Sequence, residues 1–114
     1  MTGPLARIEV DPDRDGLWIG LFGEIDLSNA QTVLSRVREV IAEAAPERVL
    51  VDLAGVEYID SQGVMLLLKI AGSLRESRTP LRLLAPVDSP AGQVLAISHL
   101  DDLAGERLTG EAGA

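Results

Sequence analysis

Tyr58-Ile59-Asp60-Ser61-Gln62-Gly63-Val64 is the stretch that decides the fold. The apolar run Val49-Leu50-Val51-Asp52-Leu53 before it reads as a strand. From Val64 to Leu74 the chain is apolar almost all round, interrupted by Lys69, and reads as a helix. A strand, a turn and a helix therefore follow one another. Asp60 and Ser61, both preferred N-cap types, stand at the switch. This puts a small hydroxyl where backbone N–H groups have no intrahelical partner, a favourable setting for an anion such as a phosphate. The one histidine, His99, is far along the chain and offers no base to activate the Ser61 hydroxyl. A serine presented without catalytic partners reads as a substrate for another enzyme rather than as a nucleophile.

Working outward, Leu5 to Val10 and Leu17 to Phe22 read as strands joined by the turn-rich Asp11-Pro12-Asp13-Arg14-Asp15-Gly16, and so as a hairpin. Gly23-Glu24-Ile25-Asp26 leads into a helix. There Ser28 and Gln31 match a capping box, and Leu27, Ala30, Val33, Leu34, Val37, Ile41 and Ala44 form an apolar stripe closed by Pro46. Val49 to Leu53 is continuous enough for a central strand covered on both faces, and Gly55 marks a turn. The core stripe predicted for the next helix is Val64, Leu67, Leu68, Ala71 and Leu74. That leaves Met65, Leu66 and Ile70 either in the core or in an exposed apolar patch beside Ser61, which would serve for docking. Leu81 to Ala85 reads as a strand. Ser89-Pro90 caps a helix running to about Ser98, and Leu103 to Leu108 reads as a last short strand. Thr109 to Ala114 reads as a frayed tail. This alternation predicts one α/β domain over residues 1–114: a sandwich with a mixed four- to five-stranded sheet, an N-terminal hairpin and three to four helices.

Composition narrows the function. With 114 residues, 46% of them hydrophobic and only 3% aromatic, the core must be aliphatic. A formal charge of −8 argues against binding nucleic acid or an anionic membrane, because the phosphate-neutralising term is missing. The absence of cysteine excludes disulfides and thiolate zinc sites. No signal peptide is visible, and the apolar run Val64 to Leu68 is too short to span a bilayer, so a cytoplasmic domain is expected. Asp11, Asp13, Asp15 and Gly16 imitate half of a calcium loop, but the twelfth position is Phe22, where a bidentate glutamate is needed. No phosphate-binding glycine loop and no Ser–His–acid or Cys–His set is present, so neither a cofactor nor an enzyme activity is expected. Lys69, Arg75 and Arg78 read as a solvated face, and His99 as a helix C-terminal contact.

Two segments together resemble the STAS domain family, and within it the stand-alone bacterial anti-sigma-factor antagonists. Gly23-Glu24-Ile25-Asp26 is similar to the family's Gly-Glu-(Leu/Ile)-Asp segment. Asp52-Leu53, Val56, Ile59-Asp60-Ser61 and Gly63 resemble its Asp-Ser-(Ser/Thr)-Gly turn. The resemblance covers Leu5 to Leu103. It implies that Ser61 is phosphorylated by an anti-sigma factor with a histidine-kinase-like ATPase fold and dephosphorylated by a PP2C-type phosphatase. It also implies that the unphosphorylated form binds the anti-sigma factor and frees a sigma factor. Asp26, Asp60, Gln62, Met65 and Leu66 are the candidate partner-binding residues. Gln62 replaces a second hydroxyl found in many relatives. The chain after Leu103 is short for the family's last helix, which would expose a sheet edge and favour a weak homodimer. The alternative within the same fold is a scaffold subunit of a transport or lipid-trafficking ABC assembly without phosphoregulation.

Overall fold

The chain opens on a hairpin of β1 (Ala6–Asp13) and β2 (Gly16–Ile25), antiparallel and in register from Ala6 opposite Gly23 to Asp13 opposite Gly16. The computed structural model describes residues 6–13, 16–98 and 105–108. The aspartate-rich stretch predicted as a turn is therefore mostly strand. Asp11 and Pro12 pair with Trp18 and Leu17, and only residues 14–15, outside the described set, link the strands. Pro12 is tolerated because β1 is an edge strand, where a missing donor breaks no ladder.

The chain continues through α1 (Ala30–Ala44), β3 (Val49–Ile59), α2 (Ser61–Glu76), β4 (Leu81–Leu84), α3 (Pro90–Ser98) and β5 (Gly105–Leu108). The described strands form one five-stranded sheet in the order β1-β2-β3-β4-β5, antiparallel at the hairpin and parallel elsewhere. The predicted order of hairpin, helix, strand, helix, strand, helix holds, as does the last strand. His99, Leu103 and residues 109–114, with any final helix, lie outside the described residues.

Leu17, Ile19 and Leu21 of β2, Val49, Val51 and Leu53 of β3, and Leu81 and Leu83 of β4 share one buried face. The β2–α1–β3 and β3–α2–β4 crossovers step the same way across the sheet, so right-handed connections put α1 and α2 on that face together. Val33, Leu34 and Val37 of α1, Leu66, Leu67 and Ile70 of α2, and Ala91 and Leu95 of α3 complete the core. The expectation that β3 is covered on both faces is corrected. Trp18, Phe22, Leu50 and Asp52 on the opposite face are only half-buried, and Arg82 is exposed. There the Trp18 indole N–H donates to Asp52 Oδ2 (3.2 Å), and Arg7 stacks on the Phe22 ring.

Gly55 does not turn the chain. β3 carries an extra residue relative to β2 between the pairs Gly20/Asp52 and Phe22/Gly55, and again between Gly23/Val56 and Glu24/Tyr58. Each bulge rephases the strand, so the buried residues run Leu53, Val56, Ile59 instead of alternating. The strand survives because Asp52 Oδ1 accepts from the Ala54 N–H (2.9 Å) at the first bulge. β3 thereby reaches Ile59, opposite Ile25 at the end of β2. Two segments distant in sequence thus end side by side.

Candidate functional site

β2 and β3 are parallel and finish together, so the residues that follow each of them share one edge of the sheet. The Asp60 N–H donates to the Ile25 carbonyl (3.2 Å), which locks the two strand ends. Asp60 then caps α2. Its Oδ1 accepts from the N–H groups of Gln62 (2.8 Å) and Gly63 (3.1 Å), while its Oδ2 accepts from the Leu27 N–H (3.2 Å) in the loop after β2. Ser61 is the first residue of the helix, exposed. Its hydroxyl makes none of the described hydrogen bonds. The expected position at the start of the helix is therefore found, with one correction. The helix-end N–H groups that sequence reading left open for an anion are largely taken by Asp60, and the cap is Asp60 rather than Ser61. Gly63 is required because a Cβ there would lie 2.4 Å from Ile59 Cγ1 and 3.1 Å from the Ile25 carbonyl oxygen. The helix starts hard against the sheet's edge.

The loop before α1 is built by Asp26 and Asn29, not by the predicted Ser28–Gln31 box. Asp26 Oδ1 accepts from both the N–H (2.9 Å) and the hydroxyl (2.6 Å) of Ser28, and the Asp26 carbonyl accepts from the Asn29 and Ala30 N–H groups. Asn29 is buried at 6% exposure. It bridges the strand end by accepting from the Asp26 N–H (3.1 Å) and donating to the Glu24 carbonyl (2.8 Å). Sequence reasoning missed it, although an Asn three residues after an Asp at a strand-to-helix switch is the pattern that marks it. Asn29→Ala should leave two backbone groups without partners and destabilise the domain by about 1–3 kcal/mol, measured by urea unfolding.

Leu27 was expected at the head of the α1 stripe, yet it is 76% exposed, and the buried positions of the helix are Ala30, Val33, Leu34, Val37 and Val40. Ala44 is exposed and Ile41 only partly buried. The Asp26 turn delays the helix, so Leu27 projects before its axis is set. The α2 stripe is also corrected. Gly63, Leu66, Leu67, Ile70, Ala71 and Leu74 are buried, while Val64 and Leu68 are half-buried. Leu66 and Ile70 are each 2% exposed and belong to the core, so the expected patch shrinks to Met65, at 44% exposure. Leu66 forms the floor of a shallow groove between α1 and α2, with Leu27, Gln62, Met65 and Lys69 around it. The structure thus brings Asp26, Asp60, Ser61, Gln62 and Met65 to one corner, with Leu66 beneath. Leu27, missed as a surface residue, stands among them, and Tyr58 on the same strand end is 49% exposed.

What this corner can do chemically is limited. It offers an exposed hydroxyl, carboxylates occupied in hydrogen bonds and an apolar rim. Among the described residues, no group of His, Asp and Glu is gathered that could hold a metal ion. No described helix is long and apolar enough to cross a membrane.

The architecture is an α/β sandwich with an N-terminal hairpin and an Asp-Ser corner at the sheet's edge. The STAS domain model matches residues 7–109, and the chain belongs to that family. Among solved structures it is similar to an anti-sigma factor antagonist from Mycobacterium paratuberculosis at 19% identity. That match covers 94% of this chain and 90% of that one, with a TM-score of 0.75. It is also similar to the Bacillus cell fate determinant SpoIIAA in its phosphorylated form, at 24% identity over 85% and 87% of the two chains, with a TM-score of 0.64. A sulfate transporter family protein from Wolinella succinogenes matches at 22% identity over 79% and 74%, with a TM-score of 0.61. At these identities the likeness is one of fold.

Proposed function

We propose that this domain is an anti-sigma-factor antagonist in a partner-switching pathway, with Ser61 as its phospho-acceptor. The unphosphorylated form binds an anti-sigma factor of histidine-kinase-like ATPase fold and so releases a sigma factor. Phosphorylation blocks that binding, and a PP2C-type phosphatase restores it. The chain itself is a substrate and a binding partner, not a catalyst. The observation that carries this reading is the exposed Ser61 hydroxyl, free of described hydrogen bonds, at the first position of α2 and beside an apolar groove.

The chemistry is simple in balance. The Ser61 Oγ forms a bond to the γ-phosphorus of ATP, the P–O bond to the ADP leaving group breaks, and the hydroxyl proton passes to the kinase. The product carries about −1.5 to −2 charges and a bulky group where a partner meets a neutral side chain. The fold tolerates this group because it faces solvent at a helix end. The solved phosphorylated SpoIIAA supports that view of the fold.

The test is incubation of the domain with a candidate anti-sigma kinase and ATP, followed by intact-mass measurement of wild type and Ser61→Ala. One added phosphoryl group in wild type and none in the variant supports the reading. Unchanged mass with every kinase that binds the domain would favour the transport-scaffold alternative.

A further inference from the structure

Asp60 divides its carboxylate between two elements. Oδ1 serves α2 through two N–H groups, whereas Oδ2 reaches across to the single N–H of Leu27. The loop is otherwise tied back on itself and to β2, through Asp26 with Ser28 and through Asn29 with Glu24. The Leu27–Asp60 bond is thus what joins the loop's tip to the start of α2. Among the described residues, the one it holds is the most exposed of the large apolar side chains, at 76%, and it flanks the same groove as Met65. An apolar side chain kept so far into solvent needs a backbone restraint to keep a fixed place.

We propose that Asp60 is a positioning residue that holds Leu27 beside Met65 on the rim of the α1–α2 groove, and that a phosphoryl group on the adjacent Ser61 releases Leu27. This rests on the reading of Ser61 as the acceptor. Asp60 then touches no partner itself but sets the shape of the surface a partner meets. A phosphoryl dianion on the next residue repels the carboxylate. Of the two sets of bonds Asp60 makes, the pair at the positive end of the helix is the stronger. The lone, exposed 3.2 Å bond to Leu27 gives way first. The phosphate would thereby both add charge and dismantle half of the apolar rim.

Asp60→Asn separates the two roles. Its amide oxygen still caps Gln62 and Gly63, while its NH2 group opposes the Leu27 N–H, donor against donor. Asp60→Ser serves as a second variant, since serine is a good cap but is too short to hold the loop. The measurement is residue-resolved amide hydrogen exchange by NMR on the free domain. It compares wild type, both Asp60 variants, Ser61→Ala and protein carrying phosphoserine incorporated at position 61 during synthesis. Loss of protection at Leu27, with protection kept at Gln62 and Gly63, is expected in the Asp60 variants and in the phosphoprotein. Ser61→Ala should match wild type. Three results would overturn the proposal: unchanged Leu27 protection in Asp60→Asn, unchanged Leu27 protection with phosphoserine, or joint loss at Leu27, Gln62 and Gly63, which would make Asp60 only a helix cap. No partner or kinase enters this readout. Its failure therefore leaves the binding switch at Ser61 standing, and failure of that switch leaves this coupling standing.

Discussion

Leu66→Ala is expected to destabilise the domain by about 2–5 kcal/mol, the range for truncating a buried leucine where the surroundings collapse only in part. Leu66 is 2% exposed and packs in the core that α1, α2 and the sheet share. Its neighbour Met65 is 44% exposed, and Met65→Ala should stay within about 0.5 kcal/mol of wild type. Partner binding should show the reverse order of direct effects. Met65→Ala weakens it while the fold is intact, and any loss in Leu66→Ala follows its unfolding. Urea unfolding of both variants, with circular dichroism of the native state as control, reads this directly. Equal stability of the two variants would mean that α2 is rotated from the placement described here.

That pair shows where sequence and structure part. Periodicity located α2 but not its rotation. With apolar residues at Val64, Met65, Leu66, Leu67 and Leu68, several stripes fit a helical period, and only contact with the sheet chooses among them. The contact is fixed by Gly63, whose missing side chain lets the first turn sit against Ile59 and the Ile25 carbonyl. The Ser61 position, by contrast, was legible, because strand, Asp-Ser and helix are contiguous in the chain. The hairpin, the element order and the mixed sheet were legible for the same reason. Gly55 misled because a glycine in a bulge and a glycine in a turn look alike in sequence. The difference lies in the pairing with Phe22, more than thirty residues away. Leu27 misled because its spacing to Ala30 is helical while the Asp26–Ser28 turn holds it outside the helix. Asn29 was missed although its bonds to Asp26 and Glu24 are local, whereas the second half of the Asp60 carboxylate was illegible, since it acts across the gap between two strand ends.

The second large effect concerns binding. Ser61→Ala should leave stability within about 0.5 kcal/mol of wild type, because Asp60 supplies the cap and the Ser61 hydroxyl caps nothing. It should also keep wild-type affinity for the proposed anti-sigma partner, since a small neutral group is preserved. A phosphate there acts otherwise. A partner carboxylate placed about 6 Å away would raise the energy by roughly 3 kcal/mol per unit charge pair at an effective dielectric of 20, before screening by salt. Desolvation of the phosphate adds to this. Together they predict weakening of more than about a hundredfold. Ser61→Asp should weaken binding less, having one charge and less bulk. The loss should shrink as ionic strength rises, because the site is exposed.

Whether a charge at Ser61 controls partner binding is decided by calorimetric titration of the unphosphorylated domain, and of the domain carrying phosphoserine at position 61, against one candidate anti-sigma factor. Tight binding of the first and a Kd raised more than about a hundredfold for the second are expected, with both forms folded cooperatively at the temperature of the titration. Equal affinity of the two forms would contradict such control and leave Ser61 an exposed surface residue of a constitutive scaffold.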